Sequence, residues 1–310
     1  MTNVFLTGGA GFIGSHVAER LMAQGHQVAI LDNLSRGERS WIPPKAVLYE
    51  GDLRDKRFVT AVVAEVQPQV VIHAAAQTSV ARSLEHPEED LEINALGTLY
   101  LLKASRKAGV RRFVYLSSGG ALYPGGPEPA REEDRLLPST PYGISKLAGE
   151  LYVRQASFEH GIEAVALRLA NIYGPRQKEP AVVPSFCRRL LQKEPCLLHG
   201  DGRAYRDFVY VEDAVEAILL AVERDLPGEE PFVAFNVASS TRTDVLTLFR
   251  KLKDLLDPHA SPAFLPLPRG IQEGSLLDAS RIREAWGWQA RTSLEEGLRR
   301  TAQYWRNALS

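Results

Sequence analysis

Apolar residues fall along the first half of this chain in short runs separated by longer amphipathic stretches. Val4-Phe5-Leu6 and Val28-Ala29-Ile30-Leu31 read as strands, as do the runs within residues 3–7, 27–31, 47–50, 69–73 and 112–116. Between them, segments such as Phe12 to Gln24 and Asn94 to Lys107 repeat with helical periodicity. Strand and helix in alternation predict a parallel sheet with helices on both faces. Right-handed crossovers then align the C-terminal strand ends along one edge, where ligands bind in such folds. Residues 124–138 are rich in proline, glycine and charge and read as a loop. A helix is predicted from Pro141 to about Glu159, capped by Ser139 or Thr140, followed by a strand from Ala164 to Leu169. Beyond Asn171 the pattern turns irregular and proline-rich.

The turn after the first strand reads Thr7-Gly-Gly-Ala-Gly-Phe-Ile-Gly14. Gly8 permits the tight turn, Gly11 lets backbone approach a phosphate, and Gly14 lets the helix pack closely on the strand. Bare N–H groups at the helix start can then face a pyrophosphate. Asp32 ends the second strand, where a carboxylate accepts from a ribose 2′-hydroxyl and repels a 2′-phosphate. The expected cofactor is therefore NAD and not NADP. This places a doubly wound (Rossmann) α/β domain at residues 1–170, carrying the cofactor. A smaller C-terminal α/β domain is expected at 171–310, with segments folding back over the sheet edge.

The bulk numbers narrow the class. The 310 residues are 45% hydrophobic, enough for a large core, and the formal net charge of −1 gives no basic field for nucleic acid or anionic membranes. No apolar stretch reaches membrane-spanning length, and the apolar N-terminus runs into the glycine turn without a cationic leader. Cys187 and Cys196 lack zinc spacing, so no metal is expected. Two reduced thiols in a cytoplasmic protein are the simpler reading.

Tyr142 and Lys146 lie four apart on the predicted helix and share a face. A phenol is a poor base at neutrality. A neighbouring ammonium and an oxidised nicotinamide both favour the phenolate, which makes Tyr142 a usable proton acceptor. Lys146 is also placed to hydrogen-bond the nicotinamide ribose.

With these residues in view, the chain resembles the extended short-chain dehydrogenases/reductases of the nucleotide-sugar epimerase group. The matching stretches run nearly end to end. They are TGGAGFIGSH (7–16), LDNLS (31–35), GDLRD (51–55), HAAAQTSV (73–80), INALGT (93–98) and YLSS (115–118). Further on come PYGISK (141–146), LRLANIYGPRQ (167–177), GDGRAYRDFVYVED (200–213) and LPRG (267–270). The resemblance implies that Gly8, Gly11, Phe12, Ile13 and Gly14 hold the pyrophosphate, and Asp32 and Asn33 the adenosine ribose. Asp52 and Leu53 would flank the adenine, while Ala74, Ala75 and Gln77 line the path to the nicotinamide. Asn94 is implied as the structural asparagine of the active-site helix. For a UDP-sugar, Asn171 would contact the diphosphate, and Arg206 and Arg269 would neutralise it. Ser79 is placed on the substrate side. Ser275 falls near the position where bulk restricts N-acetyl substrates, so a serine implies a permissive pocket. A homodimer through helices near 94–107 and 141–159 is also implied.

One departure bears on the reaction. The family places a catalytic serine or threonine four residues before the tyrosine of a Ser-x-x-Val-Tyr-Gly stretch. Here the tyrosine is Tyr123, that position is Gly119, and Pro124 follows. Ser118 is the expected substitute, with Ser117 the alternative. Gly119-Gly120 also lacks the acid–base pair that a 4,6-dehydratase needs, and no decarboxylase-type acid lies in that stretch. What remains is 4-epimerisation through a transient 4-keto sugar and bound NADH, with UDP-glucose/UDP-galactose the leading pair. UDP-N-acetylhexosamines and UDP-uronic acids are the competitors. A non-catalytic NAD-binding sensor and an NADPH reductase are the readings from other classes.

Overall fold

The structure is a computed structural model that describes residues 1–266 and 274–309. The first half runs β1 (Asn3–Thr7), α1 (Phe12–Ala23), β2 (Gln27–Asp32), β3 (Val47–Glu50), α2 (Lys56–Val66), β4 (Val70–His73), α3 (Val80–Glu85) and α4 (Pro87–Leu91). A π-helical turn at Glu92–Leu96 then leads into α5 (Gly97–Lys107), β5 (Arg112–Ser118), α6 (Gly119–Leu122), α7 (Pro141–His160) and β6 (Glu163–Leu169). The second half contains β7 (Asn171–Tyr173), α8 (Val182–Leu191), β8 (Cys196–His199), β9 (Tyr205–Tyr210), α9 (Val211–Glu223) and β10 (Phe232–Val237). It ends with β11 (Arg242–Asp244), α10 (Val245–Leu256), β12 (Pro262–Leu265), α11 (Ser280–Trp286) and α12 (Leu294–Leu309).

Seven strands form one parallel sheet in the order β10-β6-β5-β4-β1-β2-β3. The order reverses between β1 and β4, and a crevice opens there at the strand C-termini. Alternation along the strands explains the two-sided cover. Val4 and Leu6 pack with α1 and α9 on one face, whereas Phe5 packs with α2, α5 and α7 on the other. Residue 170 marks where the chain first leaves the sheet, not the end of its contribution, because β10 returns to pair with β6. Beyond the strand ends lie a three-stranded sheet, β11-β9-β7, and the pair β12-β8. Both cysteines are free and buried within the second half, where burial pushes Cys187 up to about 12 and Cys196 to about 11.

Thr140 caps α7, its hydroxyl accepting from the Gly143 N–H at 3.2 Å, with Pro141 in the first turn. That cap fixes where Tyr142 begins the helix.

Candidate active site

The glycine turn is built for close approach. Gly8 has φ +72°, and a Cβ there would stand 2.7 Å from the Ala75 nitrogen; one on Gly14 would stand 2.1 Å from the Gly8 carbonyl oxygen. The loop after β4, with Ala74 and Ala75, therefore presses directly on the turn after β1. Ala74 and Ala75 donate to the Thr7 carbonyl and hydroxyl, each at 3.2 Å. No side chain caps α1 at Gly11. The first-turn backbone of Phe12 and Ile13, partly exposed, faces the crevice end of the helix. This is a cradle for a phosphate group.

Asp32 is buried, and it uses its oxygens first on the protein. It accepts from Ala10 N–H at 3.0 Å and Leu34 N–H at 2.8 Å, tying the end of β2 to the glycine turn. Burial raises its pKa and the two backbone donors oppose the rise. Asn33 donates to Asp52 at 2.9 Å, and Arg54 donates to the same carboxyl group at 2.8 and 2.9 Å. The hydrogen-bonded Arg54 guanidinium holds Asp52 down at about 2. Leu53 beside it is buried. These residues edge one end of the crevice and fit an adenosine moiety, so the chain's own residues suit a dinucleotide such as NAD.

The reactive pair lies at the other end. Tyr142 is partly exposed and Lys146 is buried one turn later. Ser118, at the end of β5, lies beside Tyr142; burial raises the phenol pKa and the Ser118 hydroxyl lowers it. Lys146 Nζ donates to the Leu116 carbonyl at 2.6 Å and lies 4.2 Å from the Tyr115 ring centroid. The ammonium addresses β5, not the phenol. Burial brings Lys146 down to about 7, against the opposing fields of Glu150 and Asp90.

Ser117 faces the other way, donating to Glu150 at 2.5 Å in the interior. The structure also explains Gly119. A Cβ there would stand 2.3 Å from Leu277 Cδ1 and 3.1 Å from the Arg168 carbonyl oxygen, so this position has no room for a serine. Gly120 has space: its Cβ would stand 3.6 Å from both Asn171 Oδ1 and Ser275 Oγ. Arg206 Nη1 and the Ser275 N–H both donate to the Tyr205 carbonyl, at 2.7 and 3.3 Å. Asn171 and Ser275 thus meet beside Gly120, and Arg206 reaches the same Tyr205 carbonyl as the Ser275 amide. Burial pushes the Arg206 guanidinium down from its usual range. Arg269 lies outside the described residues.

Gln77 and Asn94 form a reciprocal pair. Gln77 N–H donates to Asn94 Oδ1 at 2.9 Å, and Asn94 Nδ2 returns to the Gln77 carbonyl at 3.0 Å. Ser79 is not in the pocket wall by its hydroxyl, which caps α3 by accepting from Arg82 N–H at 3.2 Å. Three groups near the pair escape a linear reading. Asp90 binds Ser145, the residue before Lys146. Glu150 pairs with Arg168 at 2.6 Å, both nearly inaccessible. His73 is fixed between Thr7 at 2.7 Å and Thr98 at 2.8 Å, and burial drives it down to about 3. The spacing Tyr142, Lys146, Glu150 does carry a signal, because it puts an acid on the buried face of α7. Asp90 has no such local signal.

Comparison with known proteins agrees with this geometry. Residues 4–238 match the family described as the NAD dependent epimerase/dehydratase family. The chain is 36% identical over 311 residues to the UDP-glucose 4-epimerase of Mycolicibacterium smegmatis, spanning 97% of this chain and 98% of that protein. Its fold matches the crystal structure of the Thermotoga maritima UDP-glucose 4-epimerase with UDP-glucose at a TM-score of 0.95 and 39% identity, covering 99% of this chain and 100% of that one. The Thermus thermophilus UDP-glucose 4-epimerase in complex with NAD matches at 0.92 and 38% identity, covering 98% and 99%.

Proposed function

This chain belongs to the NAD dependent epimerase/dehydratase family, and we propose that it is a UDP-sugar 4-epimerase whose leading substrate pair is UDP-glucose and UDP-galactose. The observation that carries this reading is the meeting of Ser118, at the end of β5, with the Tyr142 phenol and the buried Lys146 of α7 at the sheet edge. Bound NAD supplies the hydride acceptor and donor for C4 of the sugar. The glycine turn Gly8–Gly14 would hold its pyrophosphate, and Asn33, Asp52 and Leu53 would border its adenosine.

Tyr142 acts as the base that takes the 4-hydroxyl proton and as the acid that returns it. Ser118 shortens the path of that proton. Lys146, one turn along α7 from Tyr142, would favour the phenolate by its charge. Gly119 and Gly120 bring no carboxyl group beside C5 or C6, so neither water loss nor decarboxylation has its acid and base there. Glu132, in the following loop, is spent on the Asn236 N–H at 2.7 Å. With no carboxyl group supplied at Gly119 and Gly120, a keto sugar formed here would take hydride back, and return to the opposite face would invert C4. The sugar must turn over in the pocket, so the firm grip is on the UDP, by Asn171 and Arg206 together with Arg269. The small Ser275 beside Gly120 supports UDP-N-acetylhexosamines as a second substrate class.

Two copies are proposed to associate through α5 and α7. Ile144, Leu151, Tyr152 and Phe158 form one stripe on α7, with Ile144 and Leu151 each 54% exposed, and Leu96 lies exposed just before α5. Cytoplasmic residence is proposed from the two free, buried cysteines. Among the described residues no helix is long and apolar enough to cross a membrane.

The test is to incubate purified protein, without added cofactor, separately with UDP-galactose, UDP-N-acetylgalactosamine and UDP-galacturonate, and to resolve the products. Conversion to the gluco partner is expected, fastest for UDP-galactose. No conversion, even with NAD supplied, overturns the reading in favour of a non-catalytic NAD-binding protein.

A further inference from the structure

Asp90 lies in α4, only 1% exposed, against the first turn of α7. Its Oδ1 accepts from Gln77 Nε2 at 2.7 Å and from Asn94 Nδ2 at 3.2 Å, and its Oδ2 accepts from the Ser145 hydroxyl. Each of these donors is uncharged. A buried carboxylate satisfied only by neutral donors is stable where a cation stands near enough to balance it. Ser145 immediately precedes Lys146, and its hydroxyl also reaches the Tyr142 carbonyl at 3.0 Å. With its one proton given to Asp90, Ser145 joins that carboxylate to the first turn of α7, beside Lys146.

The groups facing Lys146 are few. Tyr142 and Glu150 share its helix, Tyr115 comes from β5, His73 from β4 and Asp90 from α4. Glu150 already has a cation of its own, Arg168 at 2.6 Å, and takes the Ser117 hydroxyl as well. His73 is neutral. Glu150 remains the larger of the two anionic fields on Lys146, but it is shared with Arg168; Asp90 is the second, and it has no cation of its own among its hydrogen-bond partners.

We propose that Asp90 is a positioning residue of the reaction, locking the first turn of α7 through Ser145 and serving as the buried counter-charge of Lys146. This rests on reading the chain as an epimerase. Asp90 raises the pKa of both Lys146 and Tyr142. Without its charge, Lys146 loses its proton at lower pH, and the phenol ionises at lower pH too. Both limbs of the kcat–pH profile therefore move in the same direction, which loss of packing alone does not produce.

The experiment compares wild type, Asp90→Asn and Ser145→Ala, with Asp90→Ser in reserve should the asparagine variant not fold. The readouts are kcat and KM for UDP-galactose across pH, and the Lys146 midpoint by NMR of lysine carrying 13C at the ε position, assigned with Lys146→Arg. For Asp90→Asn, both limbs and the Lys146 midpoint are expected to fall by about one pH unit, with KM unchanged. Since Lys146 lies at about 7, its protonated fraction at pH 7 then drops roughly fivefold, while the phenolate fraction of Tyr142 rises. Ser145→Ala keeps the charge and is expected to lower kcat without moving either limb. An Asp90→Asn protein that is slower at every pH, with limbs and Lys146 midpoint unmoved, overturns the proposal. A wild type that turns over no UDP-sugar overturns the epimerase reading instead, and the Lys146 midpoint still decides the role of Asp90.

Discussion

The Ser117 hydroxyl donates to the Glu150 carboxylate at 2.5 Å, in the interior between β5 and α7. Its neighbour Ser118 points to the opposite side of the strand end and meets Tyr142. Strand alternation separates the two serines, turning Ser117 into the interior and Ser118 towards Tyr142. Ser118→Ala is expected to lower kcat about a hundredfold with stability unchanged. Ser117→Ala should keep near-normal kcat and lose about 1–2 kcal/mol of stability, because Glu150 loses one of its donors. Steady-state kinetics and denaturant melts on both variants check this, and the reverse ranking contradicts it.

Tyr142→Phe removes the phenol proposed to exchange the 4-hydroxyl proton. It is expected to retain NAD, since the glycine turn is untouched, and to lose on the order of a thousandfold or more in kcat. The check is cofactor content by extraction alongside turnover.

Restoring a serine at the position four before Tyr123 should not help. Gly119→Ser would force its Cβ against Leu277 and the Arg168 carbonyl. Overpacking of this kind costs about 1–3 kcal/mol, and no gain in kcat is expected. Combining it with Leu277→Ala should recover much of the stability, which thermal melts of the two proteins measure.

Glu150 and Arg168 form a buried pair extended by Tyr123, whose hydroxyl accepts from Arg168 at 2.6 Å and donates to Asn236 at 3.0 Å. Arg168→Met strands the Glu150 charge and is expected to cost about 3–5 kcal/mol. Adding Glu150→Gln removes the stranded charge, so the double variant should be more stable than Arg168→Met alone. Urea denaturation of the three proteins measures the difference.

His73 sets an acid limit to stability. It is neutral when folded, with its pKa lowered from 6.5 to about 3 by burial, assisted by Lys146. Above pH 6.5 neither folded nor unfolded chain binds this proton. Below it only the unfolded chain does, so stability falls as pH falls, until the folded form also protonates near pH 3. The slope approaches about 1.4 kcal/mol per pH unit from this group. His73→Asn should flatten that part of the curve relative to wild type in melts between pH 7 and 4.

Six of the seven strands of the sheet were legible because each rests on a local pattern; β10, in the irregular second half, was not. The run Val4-Phe5-Leu6, the glycine turn and the Thr140-Pro141 cap all act within a few residues of themselves. The Tyr142–Lys146 pair was legible for the same reason. What the chain hides is set by distant contacts. Gly119 stands out in the sequence, but the cause, Leu277 filling its side-chain space, comes from the far end of the chain. Asp90 meets Ser145 across 55 positions, and Tyr123 meets Asn236 across 113. No periodicity encodes such pairings. Asp32 shows the opposite case: its place was legible, but its first duty to the Ala10 and Leu34 amides was not.

The most direct measurement on the central claim uses UDP-galactose deuterated at C4, in ordinary water, with purified protein and no added cofactor. The account predicts UDP-glucose with the deuterium still on C4, because the hydrogen taken from one face of that carbon is returned to the other without meeting solvent. UDP-glucose that has lost the label to water, or no UDP-glucose at all, contradicts it.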